Sequence, residues 1–273
     1  MPPAVYLADA KSRAHRRRKP IATAILITCE HAGKRVPAAY RDLFEGEEAL
    51  LDTHRGWDPG ALTLAREMAQ AFEAPLYFTE TTRLLIDNNR SIGSPELYSE
   101  FTKPLPVAAR REIVQKHYLP HREPILAWVR DTLVAGRRIV HIASHSFTPE
   151  LNGVVRTADV GFLYDPRRRG EVALCDRWIG ALRHARPDLR LRRNYPYLGN
   201  SDGLCFRLRK VHPADVYVGI ELEVNQAFVR AGGKPWTAIR AALLESMRAA
   251  LSAELPGSGR AASPRLAART ARR

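Results

Sequence analysis

Cysteine is scarce in this sequence, and the few cysteines present do not form a disulfide framework. The 273 residues include Cys29, Cys175 and Cys205, which are far apart and contain no CxxC pair. An odd and scattered set argues against the class of small secreted domains that are stabilised by disulfides. We therefore expect reduced thiols and a cytoplasmic location.

Long hydrophobic runs are missing as well. No apolar stretch approaches the ~20 residues that a membrane-spanning helix requires, and residues 1–20 lack the apolar run of a secretory signal. No internal repeat is visible. With 45% hydrophobic and 26% charged residues, the composition is that of an ordinary soluble globular protein, and we expect no membrane partner.

Acidic residues are too few to balance the basic ones, and the formal net charge is +14. Residues 1–20 carry +5 and residues 254–273 carry +4, which leaves +5 for residues 21–253. Both ends are poor in large apolar groups, so we expect a flexible basic arm at 1–20, one folded domain at 21–253 and a flexible basic tail at 254–273. No aromatic residue lies among the arginines of these ends, so nucleic acid is not the expected partner; an electrostatic tether to RNA is the alternative.

Alternation of apolar runs with amphipathic segments predicts the fold. Runs rich in Ile and Val that stop at polar turns are typical of buried strands, and apolar residues at helical spacing are typical of surface helices. The alternation predicts a single α/β domain with a mixed, mostly parallel sheet flanked by helices. The predicted extended segments are 24–31, 75–79, 84–86, 139–145, 160–164 and 216–220, and the predicted helices are 61–72, 125–135, 171–185 and 236–251.

Two histidines occupy comparable positions at the ends of apolar runs. His31 ends the run that begins at Ala24, and His145 ends the run that begins at Ile139. The carboxyl ends of strands are where ligands bind in open α/β sheets. Two imidazoles placed there are candidate ligands of one metal ion.

A metal ion at these histidines would suit the hydrolysis of an amide. That reaction needs an activated water, a group that polarises the carbonyl oxygen and a proton carrier for the leaving nitrogen. Zinc held by two histidines and a carboxylate, with a free carboxylate beside it, supplies all three. Other nucleophiles have weaker settings, because we expect Cys29 to be buried and because Ser144 and Ser146 lack a Gly-x-Ser-x-Gly turn.

Five ordered motifs contain most of the reactive side chains. They are Cys-Glu-His-Ala-Gly at 29–33, His-Arg-Gly-Trp-Asp-Pro-Gly-Ala at 54–61, Arg-Leu-Leu-Ile-Asp-Asn-Asn-Arg at 83–90, His-Ser-Phe-Thr-Pro at 145–149 and Gly-Ile-Glu at 219–221. Together these motifs resemble the N-formylglutamate amidohydrolase family, and the resemblance extends from about Ile25 to Gln226. It implies a fold of the zinc carboxypeptidase, phosphorylase/hydrolase-like type. It also implies one Zn²⁺ and the cleavage of N-formyl-L-glutamate, a small acidic N-acyl amino acid, to formate and glutamate in histidine breakdown.

The resemblance makes His31 and His145 zinc ligands and leaves the third ligand open. The broader carboxypeptidase-like group has a His-x-x-Glu pair, whereas this chain has Lys34 at the position of that Glu. The remaining candidates are Asp58 and Glu30. We favour Asp58, because it lies where the following helix starts near the strand ends, and because Glu30 adjoins His31 and should point to the opposite side. A plain helix N-cap is the alternative role for Asp58.

Position along the chain and the resemblance also suggest a base and a substrate clamp. Glu221 ends the last apolar strand and is the expected general base and proton carrier, although a salt bridge to an arginine is its structural alternative. Glu223 lies on the same strand face and is the competing residue. Arg83, Asn89 and Arg90 are expected to bind the substrate carboxylates from one short strand, because a planar guanidinium meets a carboxylate with two parallel hydrogen bonds.

Three further questions stay open at this point. The loop at 194–203 is dense in turn residues, and it either covers the site or is an ordinary surface connection. His54 and the other histidines have no comparable setting and are expected to be structural or solvated. The alternative functions are a metallo-amidase or carboxypeptidase-like enzyme acting on a peptide or peptidoglycan fragment, and a basic nucleic-acid-binding protein on a degenerate hydrolase fold.

Overall fold

The computed structural model describes residues 22–252, in which parallel strands dominate a central sheet. The proposed arm at 1–20 and tail at 254–273 lie outside the described residues. The strands are β1 (Thr23–Cys29), β2 (Leu76–Phe78), β3 (Arg138–Phe147), β4 (Glu150–Leu151), β5 (Val154–Val155), β6 (Val160–Leu163), β7 (Leu191–Arg193) and β8 (Tyr217–Asn225).

The sheet has the order β2-β1-β3-β8-β6-β7, while β4 and β5 form a separate hairpin. All neighbouring pairs of the six-stranded sheet are parallel except β6 with β8, which is antiparallel. The prediction of a mixed, mostly parallel sheet is confirmed. Because β1, β3 and β8 are adjacent and parallel, their carboxyl ends meet at one edge of the sheet.

Helices cover both faces of the sheet. They are α1 (Glu48–Leu51), α2 (Ala61–Ala71), α3 (Val107–Ile113), α4 (Leu119–Val134), α5 (Arg169–Ala185), α6 (Leu204–Val211), α7 (Gln226–Ala231) and α8 (Gly233–Leu251). A 3₁₀ helix spans Ala38–Phe44, and a π-helical turn at Val114–Tyr118 joins α3 to α4. Within residues 22–252, none of these helices combines the length and the apolarity needed to cross a membrane.

Alternation along β1 shows how the two faces are filled. Ile25 and Ile27 pack in the large cluster that includes α2, α5 and α8, whereas Leu26 packs in the cluster that includes α4 and α6. Successive side chains of a strand point to opposite faces, so a strand covered on both sides is apolar throughout. This explains why the runs in β1, β3 and β8 predicted buried strands.

A third cluster lies outside the sheet and corrects one prediction. Leu84, Leu85 and Ile86, predicted as a short strand, pack against Phe44 and Ile113 in this cluster. Their backbone forms a turn, in which the Leu85 N–H donates to the Thr82 carbonyl at 3.0 Å. The run was predicted as a strand because it is apolar. It is apolar because its side chains fill a small core formed by loops and α3.

Several other boundaries differ from the predictions. The predicted strand at 216–220 continues to Asn225 and the predicted strand at 139–145 continues to Phe147, because the two pair in register to those ends. The predicted helix at 125–135 begins earlier, at Leu119, and the helices predicted at 171 and 236 begin at Arg169 and Gly233. The helix predicted at 61–72 is confirmed at Ala61–Ala71.

Candidate metal centre and its cavity

Three buried side chains meet at the carboxyl edge of the sheet: His31, Asp58 and His145. His31 follows the end of β1, His145 lies near the end of β3, and Asp58 precedes α2. Asp58 Oδ2 is 2.9 Å from His145 Nδ1 and 3.3 Å from His31 Nδ1. One potential ligand atom from each of the three residues lies within 4.8 Å of the other two. The structure thus brings together the three residues that the sequence analysis selected as ligands.

Asp58 does not cap the helix that follows it. The N-cap position of α2 is Gly60, whose φ of 82° is in the left-handed region, and no side chain caps this helix. The Asp58 N–H instead donates to the His31 carbonyl at 3.0 Å, which fixes the residue beside β1. The N-cap alternative is therefore wrong, and the Asp58 carboxylate points to the two imidazoles.

The outer nitrogen of each imidazole faces another buried carboxylate. His31 Nε2 is 2.7 Å from Asp87 Oδ1, and His145 Nε2 is 3.2 Å from Glu30 Oε2. Histidines that bind metals commonly contact a carboxylate through the nitrogen that does not bind the ion, which fixes the ring and its tautomer. Glu30 faces the His145 nitrogen that is remote from Asp58, so it contacts this imidazole from a different side.

The buried carboxylates around the two imidazoles favour positive charge at this site. Burial by itself lowers the pKa of His145, but contacts with Asp58 and Glu30 outweigh it and raise this pKa well above its usual value. Burial raises the pKa of Asp58, but the neighbouring imidazoles His31 and His145 lower it below its usual range. Two imidazole nitrogens and one carboxylate oxygen are also the donor set of many zinc sites that keep an open position. The residues present therefore fit a divalent metal ion, which would replace the imidazole protons as the positive charge.

A cavity of about 660 Å³ opens beside the cluster, and two acidic side chains of β8 line it. Glu221 and Glu223 are two residues apart on the same strand face, and both are buried. Burial raises the pKa of Glu221, against the opposing effect of His145 and Arg209. Burial raises the pKa of Glu223 to about 7, and the like charges of Asp58 and Glu221 add to this.

Arg83, Asn89 and Arg90 also line the cavity, but they do not share a strand. Asp87 organises the turn that presents them. Its Oδ1 accepts a hydrogen bond from the Asn89 N–H at 2.8 Å, and its Oδ2 accepts one from Arg83 Nη2 at 2.8 Å. The structure places all three side chains at one cavity, as predicted, but the predicted strand at 84–86 is wrong.

Several residues in the cavity wall or directly behind it were missed or set aside in the sequence analysis. His54 was set aside, yet it lines the cavity, and burial lowers its pKa. Asp87 was missed, although a polar residue directly after the apolar run at 84–86 was a usable signal. The loop at 194–203 contributes Tyr197, Leu198, Ser201 and Asp202 to the cavity wall, so it borders the site.

The residues weighed as alternative nucleophiles have structural surroundings. Cys29 is fully buried, and burial raises the pKa of its thiol well above the usual value. The hydroxyl groups of Ser144 and Ser146 donate to the carbonyls of Ala61 and Pro59 at 2.9 and 2.7 Å. None of these three side chains has the environment of an activated nucleophile.

Comparison with known proteins shows similarity to a family of amidohydrolases. The family model of N-formylglutamate amidohydrolase matches residues 23–230. A gene product of Agrobacterium tumefaciens of known structure is 30% identical, with 85% of this chain and 92% of that chain covered and a TM-score of 0.73. An N-formylglutamate amidohydrolase from Ralstonia eutropha JMP134 is 17% identical, with 84% and 93% covered and a TM-score of 0.63, which shows a shared fold. Comparison with curated proteins gives no match.

Proposed function

The chain belongs to the N-formylglutamate amidohydrolase family, whose members hydrolyse amide bonds, and from this we propose a zinc-dependent hydrolase of N-formyl-L-glutamate or a similar N-acylated acidic amino acid. Its products would be formate, or the corresponding carboxylic acid, and the free amino acid. The observation that carries the proposal is the buried cluster of His31, Asp58 and His145 beside two carboxylates in one cavity. A cytoplasmic location and a place in histidine breakdown are part of the same proposal.

The metal would be held by His31 Nδ1, His145 Nδ1 and Asp58 Oδ2, which converge at the edge of the sheet. When bound, zinc would polarise the amide carbonyl and lower the pKa of water at the site. The choice of Asp58 over Glu30 is supported by their positions, because Glu30 faces the outer nitrogen of His145. Asp87 and Glu30 would then hold the two rings in orientation.

Proton transfer is assigned to Glu221, with Glu223 as the competing carboxylate. Both carboxylates line the cavity and are shielded from bulk water. The carrier takes a proton from the attacking water and returns it to the nitrogen that leaves, and this requires a pKa near the working pH. The pKa values of both residues are raised above the usual value, that is, toward the working pH.

Arg83, Asn89 and Arg90 are proposed to bind the carboxylates of the substrate. All three line the cavity that contains the metal cluster. Arg83 is anchored by Asp87, and Asn89 is anchored by the Leu204 N–H, which donates to its Oδ1 at 2.9 Å. Anchored side chains of this kind lose little conformational freedom when a substrate binds.

The proposal is tested by metal analysis of the purified protein together with an assay of formate release. We expect about one zinc per chain and a loss of activity when a chelator removes it. N-Formyl-L-glutamate should be hydrolysed in preference to short peptides and peptidoglycan fragments, which test the alternative enzyme. Full activity in protein that contains no metal would contradict the proposal.

A further inference from the structure

Part of the cavity lining is apolar, and it includes Leu163, which pairs with Glu221 on the neighbouring strand. This part consists of Pro95, Phe147, Leu163, Tyr197 and Leu198, which we call the apolar wall. Cavities of roughly 300–1,000 Å³ enclose drug-sized ligands, and this cavity measures about 660 Å³. N-Formyl-L-glutamate is much smaller and has no apolar group to place against such a wall. The cavity therefore has room and a chemical surface that the substrate proposed above does not use.

Two residues of the apolar wall are exposed to solvent although they are large and hydrophobic. Tyr197 is 47% exposed and Leu198 is 60% exposed. Single exposed apolar residues need no explanation, but adjacent ones that line a cavity form a candidate surface for contact with a ligand. Continuity with the metal cluster, which lines the same cavity, identifies the occupant as part of a substrate.

The loop that presents these residues is anchored. Asn194 Oδ1 accepts hydrogen bonds from the Tyr164 N–H at 3.0 Å and from the Gly199 N–H at 3.1 Å. A side chain at position 199 would collide with the backbone of Tyr164, so the loop packs closely on the end of β6. Asp202 ties the other end of the loop, because its carboxylate accepts hydrogen bonds from the Ser91 N–H and hydroxyl at 2.9 and 2.6 Å.

The aromatic part of the apolar wall is braced by a cation. The guanidinium of Arg156 lies 5.2 Å from the centre of the Tyr197 ring and 6.0 Å from that of Phe147. Phe147 also packs edge-on against Tyr195, at 6.3 Å between ring centres. The wall thus has a defined shape before any ligand binds, which lowers the entropic cost of binding an apolar group.

The two arginines of the cavity differ in how firmly each is paired with acidic residues of the protein. Arg83 is paired with Asp87 at 2.8 Å and lies 3.6 Å from Asp58. Arg90 is paired with Glu96 at 2.8 Å, and its Nη1 donates to the Asp202 carbonyl at 2.8 Å. Glu96 is on the surface, so a substrate carboxylate can displace it from Arg90, whereas Arg83 keeps its two buried acidic neighbours while it faces the cavity.

We infer that the preferred substrate is an N-acyl amino acid that carries an apolar arm of about the size of a phenyl ring, seated against the apolar wall. The inference rests on the proposed amide hydrolysis and specifies its substrate class. The arm is either the acyl group or the side chain of the amino acid. Water adds to the carbonyl carbon, the C–N bond breaks, and the products are a carboxylic acid and a free amine whichever arm is apolar.

Two substrate series measured with the zinc-loaded full chain test the inference. The first extends the acyl group on glutamate from formyl through acetyl and butyryl to benzoyl. The second keeps the formyl group and changes the amino acid from glutamate to alanine, leucine and phenylalanine. We expect kcat/KM to rise about 10- to 100-fold over N-formyl-L-glutamate in at least one series, since one well-placed methylene alone is worth roughly tenfold or more.

Variants of the apolar wall provide the matched comparison. Leu198→Ala should reduce the ratio of kcat/KM for the best apolar substrate over N-formyl-L-glutamate about tenfold, mainly through KM. Val134→Ala is the control, because Val134 is 83% exposed at the end of α4 and does not line the cavity; it should leave the ratio unchanged.

The possible failures are distinguishable. Hydrolysis of N-formyl-L-glutamate with kcat/KM that is flat or falls along both series would overturn the inference and leave the proposed hydrolysis standing. An unchanged ratio in Leu198→Ala would likewise overturn it, because the apolar wall would then contribute nothing to selectivity. Absence of hydrolysis in both series by zinc-loaded protein would overturn the proposed function and the inference with it.

Discussion

Glu221 and Glu223 differ in their surroundings, although both project from one strand face into one cavity. His145 is the neighbour that most affects the pKa of both residues. Asp58 also acts on Glu223, whereas Arg209 acts on Glu221. Either carboxylate can accept a proton in this position. The alternation of β8 predicted that the two residues share a face. The preference for Glu221 came from its position at the end of the last apolar run and from the resemblance of the Gly-Ile-Glu motif.

Replacement of each carboxylate by its amide separates the two roles. We expect Glu221→Gln to lower kcat by about 10²–10⁴-fold, because it removes the proton carrier without removing a metal ligand. Glu223→Gln, the matched variant, should lower kcat less. Zinc content and kcat are measured for both proteins. A larger loss in Glu223→Gln with zinc retained would reverse the assignment.

Arg90 is the cation of the cavity whose acidic partner is on the surface. Arg90→Ala should raise KM about 10- to 100-fold with a smaller change in kcat, because a charge-assisted hydrogen bond to a carboxylate is lost. Arg90→Lys keeps the charge but loses the planar pair of donors, and an intermediate KM is expected. Steady-state kinetics check the split, and an unchanged KM in Arg90→Ala would refute the role in substrate binding.

The candidate metal ligands His31, Asp58 and His145 could be selected from the sequence, but the residues that surround them could not. His31 and His145 stood out because polar residues after apolar runs fall at strand ends. Asp87 contacts His31 across 56 positions of the chain. That contact depends on the cluster of Leu84, Leu85 and Ile86 with α3, and the periodicity of a short apolar run does not distinguish such a cluster from a strand.

At the scale of elements, one buried network ties the central strands to each other. His141 on β3 is bonded through Nε2 to the Thr28 hydroxyl of β1 at 2.8 Å and through Nδ1 to the Tyr217 hydroxyl of β8 at 2.7 Å. Cys205 of α6 lies 3.5 Å from the same Nδ1. Buried polar groups that are satisfied in this way fix the pairing of neighbouring strands. The apolar runs around these residues predicted each strand. The order β1-β3-β8 could not be predicted, because it depends on contacts between strands that are far apart in the sequence.

This network predicts how stability depends on pH. Burial lowers the pKa of His141 to about 4, whereas an unfolded histidine titrates near 6.5. Between these values the unfolded chain binds a proton that the folded chain does not, so stability is lost as the pH falls from about 6.5 to about 4. The contribution of His141 to that loss should be about 2 kcal/mol between pH 7.5 and pH 5.

Comparison with His141→Asn isolates this residue. The variant should unfold more easily at pH 7.5, because hydrogen bonds to two buried hydroxyl groups are weakened or lost. Its decrease in stability between pH 7.5 and pH 5 should be about 2 kcal/mol smaller than that of the unaltered protein. Denaturant titrations in the presence of a chelator remove the contribution of bound metal from both proteins. Equal pH dependence in the two would show that His141 is not held neutral in the folded state.

For the whole molecule, the arrangement of the sheet determines where the reactive residues meet. The alternation of apolar runs with amphipathic segments predicted a single α/β domain. The match of the family model to residues 23–230 shows the family to which the chain belongs. Of the net charge of +14, residues 1–20 carry +5 and residues 254–273 carry +4, and both segments lie outside the described residues. The sequence did not show that the distant loop at 194–203 forms part of the cavity wall, because this placement depends on hydrogen bonds to Tyr164 and Ser91.

The cluster also links metal binding to the stability of the whole chain, because His31, Asp58 and His145 come from three separate segments. A metal that binds only the folded chain stabilises it by about 2.7 kcal/mol at 100 times its dissociation constant. For a protein of this size, that corresponds to a rise in Tm of roughly 5–10 °C. We expect added zinc to raise Tm by this amount over chelator-treated protein. In His145→Ala the rise should be lost, whereas in Glu221→Gln it should remain, because Glu221 is not among the expected ligands. A rise in Tm that survives in His145→Ala would place the bound zinc elsewhere.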